Sequence, residues 1–303
     1  MNAIDQAFIR AYQADETGAA SPVAAPRVAS TRGPQGHART APHIRLQGES
    51  IVRAATSVIA TGSERRPLSA FANAGPIVEA HFKPALEVDG FRWPATCTDL
   101  IQRYHEHLQP VLHTLLAADE AGRSLIGLGG PAAGVGCTTV LACLARLLAQ
   151  HGKSVAIVDG NFAAPGLATQ LGLSVDTGWE DVLAGNVPLA ESVVYSLGDR
   201  IALLPLVAGG ALAAEKLEAI HASVTAGVLR YHYDMVLFDL GAVGDAVQGT
   251  TARRIARQCR LDGVVLTSGL AASSTVHPQR LMQTAPELAA ICLGVVENQL
   301  RAA

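Results

Sequence analysis

The sequence holds no apolar run near the ~20 residues that a membrane-spanning helix needs. Its first residues also lack the apolar core of a signal peptide. A membrane-spanning or exported chain is therefore not expected. There is no excess of positive charge: the net charge is −3, so nothing general points to nucleic acid. There is no C-x-x-C pair. The five cysteines (Cys97, Cys137, Cys143, Cys259 and Cys292) are scattered and odd in number, and read as reduced thiols of a cytosolic protein. The histidines form no metal-ligand pattern either. His105, His107 and His113 do not share a helical face and read as solvated.

Apolar residue types make up 49% of the 303 positions, ample for a core, but they are unevenly spread. Residues 1–13 place Ile4, Phe8, Ile9 and Tyr12 on one helical face, a segment too short to be stable alone. It reads either as a docking helix or as a nascent helix with no role. Residues 14–76 are rich in Ala, Pro, Gly, Ser and Thr, with scattered arginines (Arg27, Arg32, Arg39, Arg45, Arg53, Arg65, Arg66) and one strand-like patch at Ser57 to Ala60. This composition predicts a disordered tether. Residues 77–303, with a core at 120–303, then predict an α/β domain. Leu100 to Ala117 reads as a helix that Pro110 should kink or split.

Ser124 to Asn161 organises that domain. Leu125 to Leu128 is a short apolar strand. Gly129 to Gly136 is a glycine-rich loop. Thr138 to Gln150 carries Val140, Leu141, Leu144, Leu147 and Leu148 at helical spacing, and Gly152 stops it. Val155 to Val158 is a second strand, ending at Asp159. A βαβ unit of this kind crosses over right-handed into a parallel sheet. Downstream, strands at Ile201 to Leu206, Tyr233 to Leu240, Gly263 to Ser268 and Ala289 to Asn298 alternate with a short helix and its cap in Gly178 to Val193, bounded by Gly178 and Gly185, and with helices at Glu215 to Leu229, Gln248 to Arg260 and Pro278 to Thr284. The fold class expected is α/β: a doubly wound, mostly parallel sheet, with its ligand crevice at the strand ends.

The loop nearly matches a phosphate cradle. Backbone N–H groups at Gly134, Val135 and Gly136, opening a helix at Cys137, make an anion-binding concavity. A Walker A loop reads G-x-x-x-x-G-K-[ST]. Here Pro131 stands at the first glycine and Cys137 at the lysine, while Thr138 keeps the hydroxyl that reaches Mg²⁺. Asp159 and Asp239 each end an apolar strand, and Asp239 stands where a Walker B carboxylate would hold Mg²⁺ through water. Thr138, Asp159 and Asp239 are thus the candidate metal set, as a hard cation on nucleotide phosphates needs oxygen donors. Gly134, Val135, Gly136, Cys137, Thr138 and Thr139 are the candidate phosphate-binding residues. A thiol at a helix N-terminus invites a lowered pKa, hence a redox-sensitive Cys137. The preferred reading is a neutral thiol left by loss of the lysine.

Several of these segments together resemble one family. They are GVGCTT (Gly134 to Thr139), LARLLAQHGKSVAIVDGNFAAPGL (Leu144 to Leu167), GWEDVLAG (Gly178 to Gly185), YDMVLFDL (Tyr233 to Leu240) and LGVVENQ (Leu293 to Gln299). From about Phe82 to Leu300 the chain resembles the bacterial tyrosine kinases of capsule and exopolysaccharide systems, within the MinD/ParA class of P-loop ATPases. The resemblance implies Walker A at Gly134 to Thr139, the first Walker A′ acid at Asp159, Walker B at Asp239 and an adenine-recognising Asn298. It implies ATP or ADP with Mg²⁺ as cofactors. As partner it implies a membrane polysaccharide co-polymerase or an active tyrosine kinase, with homo-oligomers, at the inner face of the membrane.

The departures cut against catalysis. The Walker A lysine is Cys137, the class's further lysine falls at Ala132, the second Walker A′ acid is Asn161, and the two arginines that usually follow are Ala163 and Ala164. The last tyrosine is Tyr233, so the autophosphorylated tail of the kinases has no counterpart here. Losing a charge-assisted hydrogen bond of about 1.5–3 kcal/mol weakens nucleotide roughly ten- to a hundredfold. Losing one preorganised donor to developing charge costs about 10²–10³ in rate. The expectation is a degenerate, weakly or non-hydrolysing regulator or scaffold of exopolysaccharide biosynthesis or export. Two alternatives stand beside it. One is a working kinase or ATPase in which Lys153, Lys216 or Arg200 replaces the missing lysine. The other is a MinD/ParA-like positioning protein.

Overall fold

A computed structural model of the chain describes residues 44–46, 82–218, 220–269 and 285–298. The amphipathic segment 1–13, the strand-like patch at Ser57 to Ala60 and the helix expected over Pro278 to Thr284 lie outside the described residues.

The strands are β1 (Ile44–Leu46), β2 (Leu86–Val88), β3 (Leu125–Gly130), β4 (Val155–Asp159), β5 (Val194–Ser196), β6 (Ile201–Leu204), β7 (Met235–Ala242), β8 (Gly263–Gly269) and β9 (Cys292–Asn298). They form one sheet in the order β1-β9-β8-β3-β7-β4-β6-β5-β2. The centre, from β9 to β6, is parallel throughout. β1 and β5 run antiparallel to their neighbours β9 and β6. The doubly wound parallel core is as the alternation of strands and helices requires.

Strand residues alternate between two buried layers. Ile126, Leu128, Val155, Ile157, Met235 and Leu237 face one core. Leu125, Ala156, Val158, Val236 and Phe238 face the other. A strand buried on both sides reads as a continuous apolar run, which is why LIGLGG and VAIVD are legible without polar alternation. The first layer is closed by α1 (Ala95–Glu120) and α2 (Cys137–Gln150), through Leu108, Leu112, Leu141 and Leu144. On the opposite face, after the one-turn α3 (Leu167–Gln170), lie α4 (Trp179–Ala184), the short α5 (Leu189–Ser192) and α6 (Ala211–Glu215), α7 (Ile220–His232) and α8 (Ala246–Gln258). Trp179, Leu183, Ala222, Leu229, Ala252 and Ile255 bury there. A last helix, α9 (Pro286–Ala290), precedes β9.

Three local expectations change. The helix around Pro110 is kinked as expected, but at Tyr104 (φ −125°, ψ 25°), well upstream of the proline rather than at it. The proline ring crowds the carbonyl of the preceding turn and supplies no N–H, so the deformation falls on the N-terminal side. β5 has no counterpart in the sequence reading: three residues are too few to show a period, and the strand is held by pairing with β2 and β6. Ile44–Leu46 lies in the stretch expected to be a disordered tether, yet it pairs with β9. The otherwise open edge of β9 offers that segment unpaired backbone groups.

Candidate functional site

The glycine-rich loop joins β3 to α2 at the carboxyl end of the sheet. Gly134 (φ 79°) and Gly136 (φ 93°) both take left-handed backbone. Gly136 is the N-cap of α2, and a side chain there would run into the amide of Asn298. Glycine is thus demanded twice at this position, by conformation and by space. Val135 is buried and anchors the loop, and its carbonyl accepts a 3.0 Å hydrogen bond from Asn298 Nδ2. The backbone of the cradle is therefore preorganised, with the N-terminus of a 14-residue helix behind it.

Cys137 does not fill the role of the lysine it stands for. Its sulfur packs beneath the loop, 2.7 Å from Thr267 Oγ1 on β8 and 3.8 Å from the carbonyl of Gly241. Burial, followed by the negative charge of Asp239, pushes the thiol up to about 12. This overturns the low-pKa, redox-sensitive reading of Cys137. The favourable helix terminus is outweighed because a thiolate would be desolvated beside a carboxylate.

The strand order places β7 between β3 and β4, and the register sets Asp159 directly beside Asp239. Both side chains are 1% exposed. The Thr138 hydroxyl donates to Asp239 Oδ2 at 2.6 Å, and the Gly241 N–H donates to Asp239 Oδ1 at 3.0 Å. Asp159 accepts from the N–H groups of Asn161 (3.2 Å), Gly166 and Leu167 (both 3.1 Å). Burial, and then the charge of Asp239, raises Asp159 to about 7, against the pull of those three donors. Asp239 is also raised, by burial, against the hydrogen bonds from Thr138 and Gly241. Thr138, Asp159 and Asp239 therefore do converge. Two buried carboxylates and a hydroxyl suit a divalent cation whose other ligands are water and phosphate.

A model of the family "Cellulose biosynthesis protein BcsQ" matches residues 123–290, more than half of the chain. The chain belongs to this family. No curated protein matches it. The matched region contains the loop, both aspartates and Thr267. Asn298 lies beyond it.

Solved structures agree on the fold. The chimerical protein CapA2B2 has 20% identity to the chain, covering 70% of this chain and 93% of that one, with a TM-score of 0.57. The kinase domain of Escherichia coli tyrosine kinase ETK has 20% identity, covers 65% and 76%, and scores 0.56. The BceF tyrosine kinase domain has 19% identity, covers 67% and 82%, and scores 0.55. The resemblance read from the sequence thus finds its fold among bacterial tyrosine kinase domains, and its family in the BcsQ proteins.

Several residues that shape the site had no signal in the sequence. Gln248 on α8 is buried; its amide donates to the carbonyls of Gly160 (3.1 Å) and Leu240 (2.8 Å) and accepts from the N–H of Ala163 (3.1 Å). It clasps the loop after β4 to the end of β7. Glu180 on α4, also buried, accepts from the N–H groups of Val207 (2.9 Å) and Ala208 and so holds the loop after β6. Asn161, standing for the second acid, caps its own loop by accepting from Ala164 N–H at 3.3 Å. The proposed replacement cations sit elsewhere. Lys153 pairs with Asp119 at 2.6 Å before β4, at the amino end of the sheet. Arg200 precedes β6 at that same end, and Lys216 is exposed in a 3₁₀ turn.

Among the described residues, no helix is long and apolar enough to cross a membrane.

Proposed function

We propose that this chain binds ATP or ADP with Mg²⁺ weakly, turns it over slowly or not at all, and works as a regulator or scaffold of exopolysaccharide biosynthesis or export. The observation that carries this reading is Cys137: the lysine position holds a neutral thiol packed under the loop against Thr267, while the backbone cradle above it is complete. Binding can survive on backbone N–H groups, the helix terminus and a cation held through Thr138, Asp159 and Asp239. Phosphoryl transfer fares worse, since it depends on fixed positive charge at the transferring phosphate. The seats of Lys153, Arg200 and Lys216 speak against a rerouted active enzyme.

Asn298 would meet the base. Its Nδ2 is engaged by Val135, and its buried Oδ1 has no partner, so that oxygen is the acceptor left for an exocyclic amine. Membership of the BcsQ family supports a polysaccharide setting. The partner would be a membrane polysaccharide co-polymerase or an active tyrosine kinase, met at the inner face of the membrane, with self-association as a further mode.

The test is calorimetric titration of the purified chain with ATP and ADP, with and without Mg²⁺, followed by a turnover assay. Micromolar binding that disappears in Asp239→Ala, with turnover at or near background, is the expected result. No heat up to millimolar nucleotide would sink the binding half of the reading. Turnover at ordinary kinase rates would sink the other half.

A further inference from the structure

Cys97 and Cys143 meet between α1 and α2. Their sulfur atoms are 3.4 Å apart, and the Cys143 thiol also faces the Cys97 carbonyl at 3.7 Å. Both residues are 0% exposed. The nucleotide site uses neither: Cys143 lies nearly two turns along α2 from the loop, on the face turned toward α1.

Their surroundings differ. Cys97 is in the first turn of α1, at the end where the helix dipole favours negative charge. Arg146 stands beside it, donating to Thr98 Oγ1 at 3.1 Å and lying over the Trp93 ring at 5.2 Å. The hydrogen bond from Cys143 holds the Cys97 thiol below its ordinary value; Arg146 adds to this and burial opposes it. Cys143 is pushed up, first by donating to Cys97 and then by burial. Arg146 and the helix start favour Cys97 as the attacking sulfur, with Cys143 as its resolving partner.

We propose that Cys97 and Cys143 are an oxidisable pair, closing to a disulfide when the protein meets a hydroperoxide. The Cys97 thiolate attacks the terminal peroxide oxygen. An S–O bond forms, the O–O bond breaks, and the leaving alkoxide takes up the proton that Cys97 lost, giving an alcohol (water, for hydrogen peroxide). Cys143 sulfur then attacks Cys97 sulfur. The S–S bond forms, the S–O bond breaks, and hydroxide leaves with the Cys143 proton as water. Two thiols lose two electrons and one hydroperoxide is reduced. The sulfurs must approach from 3.4 Å to about 2.05 Å. Because Cys97 is fully buried, the reaction requires local opening of the first turn of α1. In a reducing compartment such a bond is a sensor rather than a staple. Here it would tether α1 to the helix that carries the phosphate loop, and it needs no nucleotide to form.

The experiment treats the reduced full chain with tert-butyl hydroperoxide, blocks the remaining thiols, and maps unreduced peptides by mass. One Cys97–Cys143 cross-linked peptide is expected, with two of the five thiols lost. The thermal midpoint should rise by roughly 5–15 °C and fall back with dithiothreitol. Five alkylatable thiols after treatment, or a link between any other pair, would overturn the proposal. The order of attack has its own arm: in Cys143→Ser a dimedone adduct should accumulate on Cys97. Equal labelling of Cys143 in Cys97→Ser would overturn that order.

Discussion

The two ends of the sheet treat their acids in opposite ways. At the amino end Asp119, Asp234 and Asp262 keep access to water, and two of the three pair with a cation. Asp262 accepts from the N–H groups of Ser124 (3.0 Å) and Leu125 (2.9 Å) and pairs with Arg230 at 2.8 Å. Asp234 takes the N–H and hydroxyl of Ser154, and Asp119 pairs with Lys153. These contacts tie strand starts to neighbouring turns and are half open to water. At the carboxyl end Asp159 and Asp239 lie buried side by side, and the charge that acts on Asp159 is that of the other acid. One end is built to hold; the other stores electrostatic cost that a cation would relieve. The contrast supports the proposed site without reference to any relative, because unfavourable burial of charge persists where a ligand repays it.

The contrast can be broken most sharply through Asp159. Its folded-state value near 7 exceeds the unfolded 3.8, so the native state holds the proton more tightly. Stability from this group is therefore full below about pH 4 and is lost as pH rises toward 7. The span is worth on the order of 4 kcal/mol. Chemical denaturation of the nucleotide-free chain across that range should show the decline, and Asp159→Asn should flatten it. A wild-type profile that rises between pH 4 and 7 with the same slope in Asp159→Asn would remove the basis of the comparison. Next in size, Asp239→Ala should weaken Mg²⁺-nucleotide at least about a hundredfold by calorimetry, through loss of the cation's anchor.

Cys137→Lys sharpens the comparison from the other side. Returning a cation to the acidic end should tighten ATP roughly ten- to a hundredfold. A variant that stays folded with unchanged affinity would show that the missing lysine is not what limits binding. The smallest effect belongs to the amino end. Arg230→Ala removes a half-exposed pair and should cost about 1 kcal/mol or less, with nucleotide affinity unmoved. A large affinity change there would erase the distinction between the two ends.

Much of this was legible in the linear chain, and unevenly so. Periodicity located β3, α2, β4, β7 and β8 within a residue or two, because each is long or continuously apolar. The loop and the two aspartates were found by type and position. What failed to show was whatever depends on distant pairing. Gln248 reaches Gly160 across 88 positions. Cys137 meets Thr267 across 130. No local pattern encodes either contact. The thiol of Cys137 shows the cost most clearly: its sequence neighbours argue for a lowered pKa, and its spatial neighbours raise it.

The sequence by itself determined the succession of the central strands and the long helices between them, the glycine-rich turn with its missing lysine, and the acids at two strand ends. These follow from steric preference, hydrophobic period and residue chemistry, all local. Only the tertiary structure decided that Asp159 and Asp239 share a boundary, that Cys137 lies under the loop, and that Cys97 touches Cys143. Those are consequences of strand order and helix packing, where burial and charge act between residues that the chain keeps far apart.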